Sequence, residues 1–212
     1  MAQMASAAVP TVYVIDDDAR VRASVQGLLK SAGLHSVGYE TAEQFWREKA
    51  ADGPSCLILD VSLPGMSGLD FQQQLRRAGR SIPIIFITGH GDIPMSVKAI
   101  KSGALAFLTK PFEDQDLLNA VEEALAGDSI SRREHAEITA LENRYENLTH
   151  REKEVMELVV SGMLNKQIAA ELGISEITIK VHRARVMHKM QAGSLAELVL
   201  IREKLRRVHA NR

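Results

Sequence analysis

The sequence predicts a (βα)5 doubly wound parallel sheet followed by a smaller all-α domain of four helices. Three observations carry this reading. Short β-branched runs alternate with helical apolar spacing up to residue 126, capping signals without any strand pattern fill residues 148–212, and the charge changes sign between the two parts. Residues 1–147 hold 14 Lys and Arg against 20 Asp and Glu, net −6, whereas 148–212 hold 12 against 7, net +5.

The elements follow in order. Thr11–Asp16 is short and β-branched, and Val21, Val25, Leu28 and Leu29 recur at helical spacing until Gly33 ends the turn. A strand is expected over His35–Glu40, and Thr41 to Gln44 offers a capping box for a helix through Phe45 and Trp46. Ser55–Asp60 reads as a buried strand, with Phe71 and Leu75 marking the helix after it. Ile82–Thr88 is the next strand and Asp92–Ser102 a helix with Pro94 in its first turn. Leu105–Thr109 and the helix Glu113–Ala126 close the domain, 1–126.

In such a sheet ligands sit beyond the carboxyl ends of the strands. Four of those ends carry chemistry: Asp16, Asp17 and Asp18, then Asp60, Thr88 and Lys110. Taken singly, each is an ordinary turn, cap or surface residue. Together they are what a phosphorylatable aspartate needs, because a carboxylate attacks phosphorus only where the phosphoryl oxygens are neutralised. Asp60 is the expected acceptor, at the end of a central strand and ahead of a turn-rich loop. Asp16 and Asp17 position a hard cation, Mg²⁺ or Mn²⁺, with Asp17, Asp60 and the Ser62 backbone carbonyl as direct ligands. Asp18 is better suited to cap the following helix. Thr88 donates to one phosphoryl oxygen and Lys110 pairs with another. Pro111 makes a cis bond after Lys110 available, a state found for ~5–6 % of X–Pro bonds.

Residues 127–147 are charged, and Ile138, Leu141, Tyr145 and Leu148 form a short stripe, so this linker is expected to be helical. Either a dimeric coiled coil or a helix folded back on its own chain accommodates the stripe. In the tail, 148–212, Thr149 to Glu152 form a capping box and Val155, Leu158 and Val159 a buried stripe before Gly162. A second helix runs from Asn165 through Ile168, Ala169 and Leu172 to Gly173. Ser175 caps a third, and Ser194 to Glu197 begin a fourth that carries Leu198, Val199 and Leu205. Helix, tight turn at Gly173 and helix is the helix-turn-helix plan.

On the third helix, at ~100° per residue, Ile179, His182, Val186 and Met190 share one side. Lys180, Val181, Ala184, Arg185 and His188 share the other, the side expected to face a DNA groove. Lys and Arg donate to guanine, and Val181 and Ala184 suit a thymine methyl. Arg183, Thr178, Lys166 and Lys189 are expected at phosphates.

Composition excludes other classes. With 45 % hydrophobic and 25 % charged residues the chain reads as globular, with no run near the ~18 apolar residues of a membrane span. Met1 to Ala8 lacks the basic region of a signal peptide, so a cytoplasmic location is expected. The single cysteine, Cys56, lies in an apolar run and reads as a buried small hydrophobe.

The segments Val14 to Asp18, Leu59 to Gly68, Ile87-Thr88 and Phe107 to Phe112 resemble the flavodoxin-like receiver domain of two-component response regulators. Thr88 to Ala104 resembles, more narrowly, the FixJ branch of the NarL/FixJ family. Leu148 to Val155, Gly162, Asn165 to Ala169, Leu172 to Ser175 and Thr178 to His182 resemble a LuxR-type DNA-binding domain.

The resemblance implies that Asp60 accepts phosphate from a sensor histidine kinase and that Asp16 and Asp17 form the acidic pair. It gives Thr88 and Phe107 the switch roles together with Lys110, Phe107 standing where the family has its rotating aromatic. Ser62 replaces a more usual Asn or Arg that influences dephosphorylation. On activation the face of the fourth helix, fifth strand and fifth helix pairs two receivers. The homodimer then binds promoter DNA, with RNA polymerase as a further partner and no role for a membrane. In relatives the positions of Lys180 and Val181 approach bases, and that of Ala184 is often basic.

Gly89 and Gly91 flank His90 and supply the loop after the fourth strand with backbone freedom, His90 being a loop or interface residue. The function expected is phosphorylation-controlled transcription regulation, not turnover of a substrate beyond the chain's own phosphotransfer and autodephosphorylation. Two alternatives are an orphan regulator that binds DNA unphosphorylated and a haloacid-dehalogenase-like phosphatase. The latter needs its nucleophile after the first strand, whereas Asp60 follows the third.

Overall fold

A computed structural model describes residues 9–48, 51–89 and 92–210. His90, Gly91 and Met1 to Ala8 therefore lie outside the described residues. Contacts divide the chain into two units, Met1–Arg132 and Arg133–Arg212.

The first unit contains β1 (Thr11–Ile15), α1 (Ala19–Ser31), β2 (His35–Tyr39), α2 (Ala42–Trp46), β3 (Ser55–Asp60), α3 (Gly68–Arg77), β4 (Ile84–Thr88), α4 (Ile93–Lys101), β5 (Ala106–Thr109) and the start of α5 (Asp114–Glu146). All strand pairs are parallel, in the order β2-β1-β3-β4-β5, so the winding reverses between β1 and β3. That reversal opens the crevice at the carboxyl ends of β1 and β3 where a ligand fits.

Strand alternation splits the core by face. Tyr13, Ile15, Leu57, Leu59 and Phe86 point to one side and meet Phe45, Phe71, Leu75 and Ala99 from α2, α3 and α4. Val12, Val14, Cys56, Ile58, Ile85 and Ile87 point to the other and meet Val25, Leu29, Leu117 and Val121 from α1 and α5. Burial on both faces explains the continuous apolar run of β3. Burial also pushes the Cys56 thiol up to about 12, in keeping with a packing role.

Strand limits differ from the sequence reading by a residue or two, each for a local reason. β4 begins after Pro83, which has no N–H to donate, although its carbonyl accepts from Leu57 (2.9 Å). β2 stops at Tyr39 because the Glu40 N–H turns to the Gln44 side chain (3.0 Å). That bond replaces the expected closure on Thr41, whose hydroxyl does accept from the Gln44 N–H (3.3 Å).

The larger difference is α5, which does not stop at Ala126 but runs on to Glu146. Gly127 costs a helix about 1 kcal/mol relative to Ala, so something must hold the following turn. Asp128 does so. Its buried carboxylate accepts from the Ser55 N–H (2.8 Å) and from Arg132 Nε (2.5 Å). Arg132 in turn donates to the Ala51 carbonyl (3.0 Å) and the Ser55 hydroxyl (3.2 Å). The helix beyond Ala126 is thus bound to the amino end of β3.

The second unit contains the rest of α5, then α6 (His150–Val160), α7 (Asn165–Leu172), α8 (Glu176–Met190) and α9 (Leu195–Ala210). Its core joins Val155, Met156, Val159, Ile168, Ile179, Val186, Met190, Leu198 and Leu205, with Leu148 buried and Leu141 and Tyr145 packed against them. This part of the linker stripe therefore packs on its own chain. The Thr149–Glu152 capping box forms, Gly173 closes α7 in the left-handed conformation (φ 66°), and Ser175 caps α8.

Asp128→Ala is expected to lower the stability of the first unit by about 2 kcal/mol, because it strands the buried Ser55 N–H and takes from the Arg132 guanidinium its carboxylate partner. Urea unfolding followed by circular dichroism measures the loss, and an unchanged midpoint would contradict the role given to this cluster.

Candidate functional site

Asp16 follows β1, Asp60 ends β3, Thr88 ends β4 and Lys110 follows β5, so the topology brings them to one end of the sheet. The Lys110 ammonium lies 2.6 Å from Asp16 Oδ2 and 3.1 Å from Asp60 Oδ1, and the Lys110–Pro111 bond is cis. The second oxygen of each carboxylate accepts a backbone N–H: Asp16 Oδ1 from Asp18 (2.9 Å), Asp60 Oδ2 from Ser62 (3.2 Å). Asp18 caps α1 by accepting from the Arg20 N–H (2.8 Å), as its sequence position predicts.

Asp16, Asp17 and Asp60 each offer an oxygen within 4.8 Å of the others; Asp16 and Asp60 are buried and Asp17 is exposed. Three carboxylates face one ammonium, an excess of two negative charges that suits a hard divalent cation. The electrostatics agree. Burial raises the Asp60 carboxyl above its ordinary value despite the opposing Lys110 ammonium, with the Asp16 charge adding to the rise. Burial works against the charge of Lys110, but its bond to Asp16 and the charge of Asp60 outweigh that, and its affinity for the proton is raised.

Gly68 is a residue whose role the sequence left unassigned. A Cβ there would stand 2.4 Å from the Asp60 carbonyl oxygen, and its N–H donates to the Val61 carbonyl (2.9 Å). The start of α3 can press on the end of β3 only without a side chain, which fixes the loop carrying Ser62. Thr88 is fully buried and its carbonyl accepts from the Lys110 N–H (2.7 Å). Phe107 is half-buried, its ring 6.3 Å from that of Phe86. Beyond it α4 exposes Ile93, Val97 and Ile100 in one stripe.

In the second unit the buried side of α8 carries Ile179, Val186 and Met190, with His182 half-buried between them. Lys180, Val181, Ala184, Arg185 and His188 are exposed on the other side. Lys166 is exposed, Arg183 reaches the Asn165 side chain (3.1 Å), and the Thr178 hydroxyl lies 2.8 Å from that of Ser175 in the cap. Lys189 departs from the sequence reading. Its ammonium turns inward to Glu152 (2.7 Å), a buried carboxylate, and to the Asn147 carbonyl (3.1 Å), so it is engaged away from the groove-facing side. The capping box made Glu152 visible in the sequence, but its ion pair spans 37 residues and has no local signal.

Residues 12–122 match the response regulator receiver domain, and residues 146–202 match the bacterial regulatory proteins of the luxR family. The transcriptional regulatory protein FixJ of Azorhizobium caulinodans is 42 % identical over 89 % of this chain and 89 % of its own. The chain belongs to the NarL/FixJ family of response regulators.

Nodulation protein W of Bradyrhizobium diazoefficiens is a more similar relative of this response regulator, 50 % identical over 92 % of this chain and 86 % of its own. The solved response regulator StyR matches with a TM-score of 0.87 and 47 % identity, covering 93 % of this chain and all of that one. As a response regulator with a LuxR-type domain, the protein is a phosphorylation-dependent transcription regulator, and its two matched domains are those of such a regulator. The two domains imply a kinase partner and DNA. Among the described residues no helix is long and apolar enough to cross a membrane.

Because the folded protein raises the proton affinity of Asp60, the ionised carboxylate costs stability above the folded-state value. The cost disappears below the value of the unfolded chain. Asp60→Asn, which leaves the Lys110–Asp16 pair in place, is expected to raise the unfolding midpoint by a few degrees at pH 7 without divalent cation. Scanning calorimetry should find the gain shrinking as pH falls through the acidic range. A lower midpoint at pH 7 would mean that the Lys110 contact outweighs burial.

Proposed function

We propose that Asp60 accepts a phosphoryl group from the phosphohistidine of a sensor histidine kinase. An Asp60 carboxylate oxygen attacks phosphorus, the P–N bond breaks and the imidazole leaves. Asp16, Asp17 and Asp60, with the Ser62 backbone carbonyl, would hold Mg²⁺ or Mn²⁺. When bound, the cation supplies charge neutralisation to the phosphoryl oxygens. The observation that carries the reading is the Lys110 ammonium held against both Asp16 and Asp60, where it meets a phosphoryl oxygen with little reorganisation.

Phosphorylation adds ~1.5–2 negative charges and three acceptor oxygens. Thr88 donates to one oxygen, Lys110 turns to another, and the Phe107 ring moves into the space beside Thr88. The exposed stripe Ile93, Val97 and Ile100 is suited to pair with a second activated receiver. Two copies then present Lys180, Val181, Ala184, Arg185 and His188 to successive major grooves, with Lys166, Thr178 and Arg183 at phosphates. RNA polymerase is the downstream partner, and the setting is the cytoplasm. Domain limits of 1–126, 127–147 and 148–212 describe these roles, with the Asp128–Arg132 cluster tying the first turns of the linker to the receiver.

With acetyl phosphate and Mg²⁺, the wild-type chain is expected to dimerise in sedimentation experiments and to bind its DNA more tightly. Asp60→Asn should do neither, and full DNA binding by that variant without phosphodonor would establish the orphan reading instead. Binding should also weaken steeply with salt, and Lys166→Ala should reduce the slope of log K against log salt by about one. An unchanged slope removes Lys166 from the phosphate contacts.

A further inference from the structure

We propose that Ile177 reads a thymine methyl in the major groove and is a specificity-determining residue of α8. The proposal rests on the reading of α8 as the recognition helix. Ile177 is a large apolar side chain left 74 % exposed in the first turn of that helix, outside the hydrophobic core of its unit. Exposed isoleucine is unfavourable at such a place, since it is β-branched and gains nothing from packing.

Its direction supplies the reason. Residues 177, 181, 184 and 188 are spaced by four, three and four, so Ile177, Val181, Ala184 and His188 form one straight row. Ile179, Val186 and Met190 are buried on the opposite side. Val181, the next member of the row, is 44 % exposed. Lys180 and Arg185, both exposed, border the row on its two sides. An apolar ridge between two cations matches the major groove, where thymine methyls lie between the phosphate walls. Recognition helices contact base edges with their N-terminal residues, and Ile177 stands two residues after the Ser175 cap.

The chemistry also selects against other bases. Isoleucine has no polar atom, so it cannot partner the exposed amine of cytosine or the acceptors of guanine, whereas the thymine methyl buries its apolar surface. The predicted preference is for thymine at one position of each half-site, distinct from any thymine met by Val181.

The test uses the full chain with acetyl phosphate and Mg²⁺. A binding site is selected from random duplex DNA, and each of its thymines is replaced in turn by uracil, which removes only the methyl group. Wild-type protein should lose about fourfold in affinity per half-site at one thymine, the equivalent of one buried methyl. Ile177→Ala should be indifferent to uracil there, Ile177→Val should retain part of the effect, and Val181→Ala should keep all of it. Thermal melts of the variants should match wild type, since the side chain is exposed. The proposal is overturned if Ile177→Ala keeps wild-type sensitivity to uracil at every thymine, or if the selected half-sites contain no sensitive thymine. Failure of the wild-type chain to select any sequence would overturn the recognition-helix reading beneath it.

Discussion

One ammonium holds three strand ends in common. Lys110, beyond β5, contacts Asp16 beyond β1 and Asp60 at the end of β3, two buried carboxylates that would otherwise face each other without compensation. Removing that ammonium would be costly, because the two carboxylates would stay buried without an opposite charge. The compensation is incomplete, however. Asp17 adds a third carboxylate, and the raised proton affinity of Asp60 records the remaining imbalance. A site with surplus negative charge around one cation has the charge balance that a divalent ion would complete. The three side chains proposed for the input chemistry are thus also the ones that join the strand ends.

β3 carries this arrangement at one end and a second ionic cluster at the other. Asp60 closes the strand, while Ser55 opens it and is gripped by Asp128 and Arg132 of α5. A strand buried along its whole length has little freedom to move between such anchors. The turn of α5 after Gly127 is therefore fixed to the strand that ends in Asp60, past the glycine at which the helix would most easily have ended.

The C-terminal unit solves a similar problem with fewer residues. Glu152 accepts from the Thr149 N–H and from Lys189, so one buried carboxylate caps α6 and anchors the far end of α8. Arg151 donates to the Leu172 carbonyl (2.6 Å) and ties α6 to the end of α7. With Ile179, Val186 and Met190 in the core, the opposite face of α8 lies outside the packing of its unit, with Lys180 3.8 Å from Glu176 of the same helix. That freedom explains how a short helix exposes an isoleucine and several cations side by side without loss of its own order.

Local pattern was enough for the alternation of strands and helices, the caps at Asp18, Thr149 and Ser175, the left-handed stop at Gly173 and the gathering of Asp16, Asp60, Thr88 and Lys110 at one sheet end. These follow from periodicity and from the direction of parallel strands, which depend on near neighbours. The sequence did not determine the continuation of α5 through Gly127, the inward turn of Lys189 or the need for glycine at position 68. Two depend on a group distant in the chain, Ser55 for Asp128 and Glu152 for Lys189, and the third on how closely the start of α3 approaches the Asp60 carbonyl. A charged residue in a helical pattern reads as solvated surface until the fold brings it a buried partner. Only tertiary structure decides which of them has one.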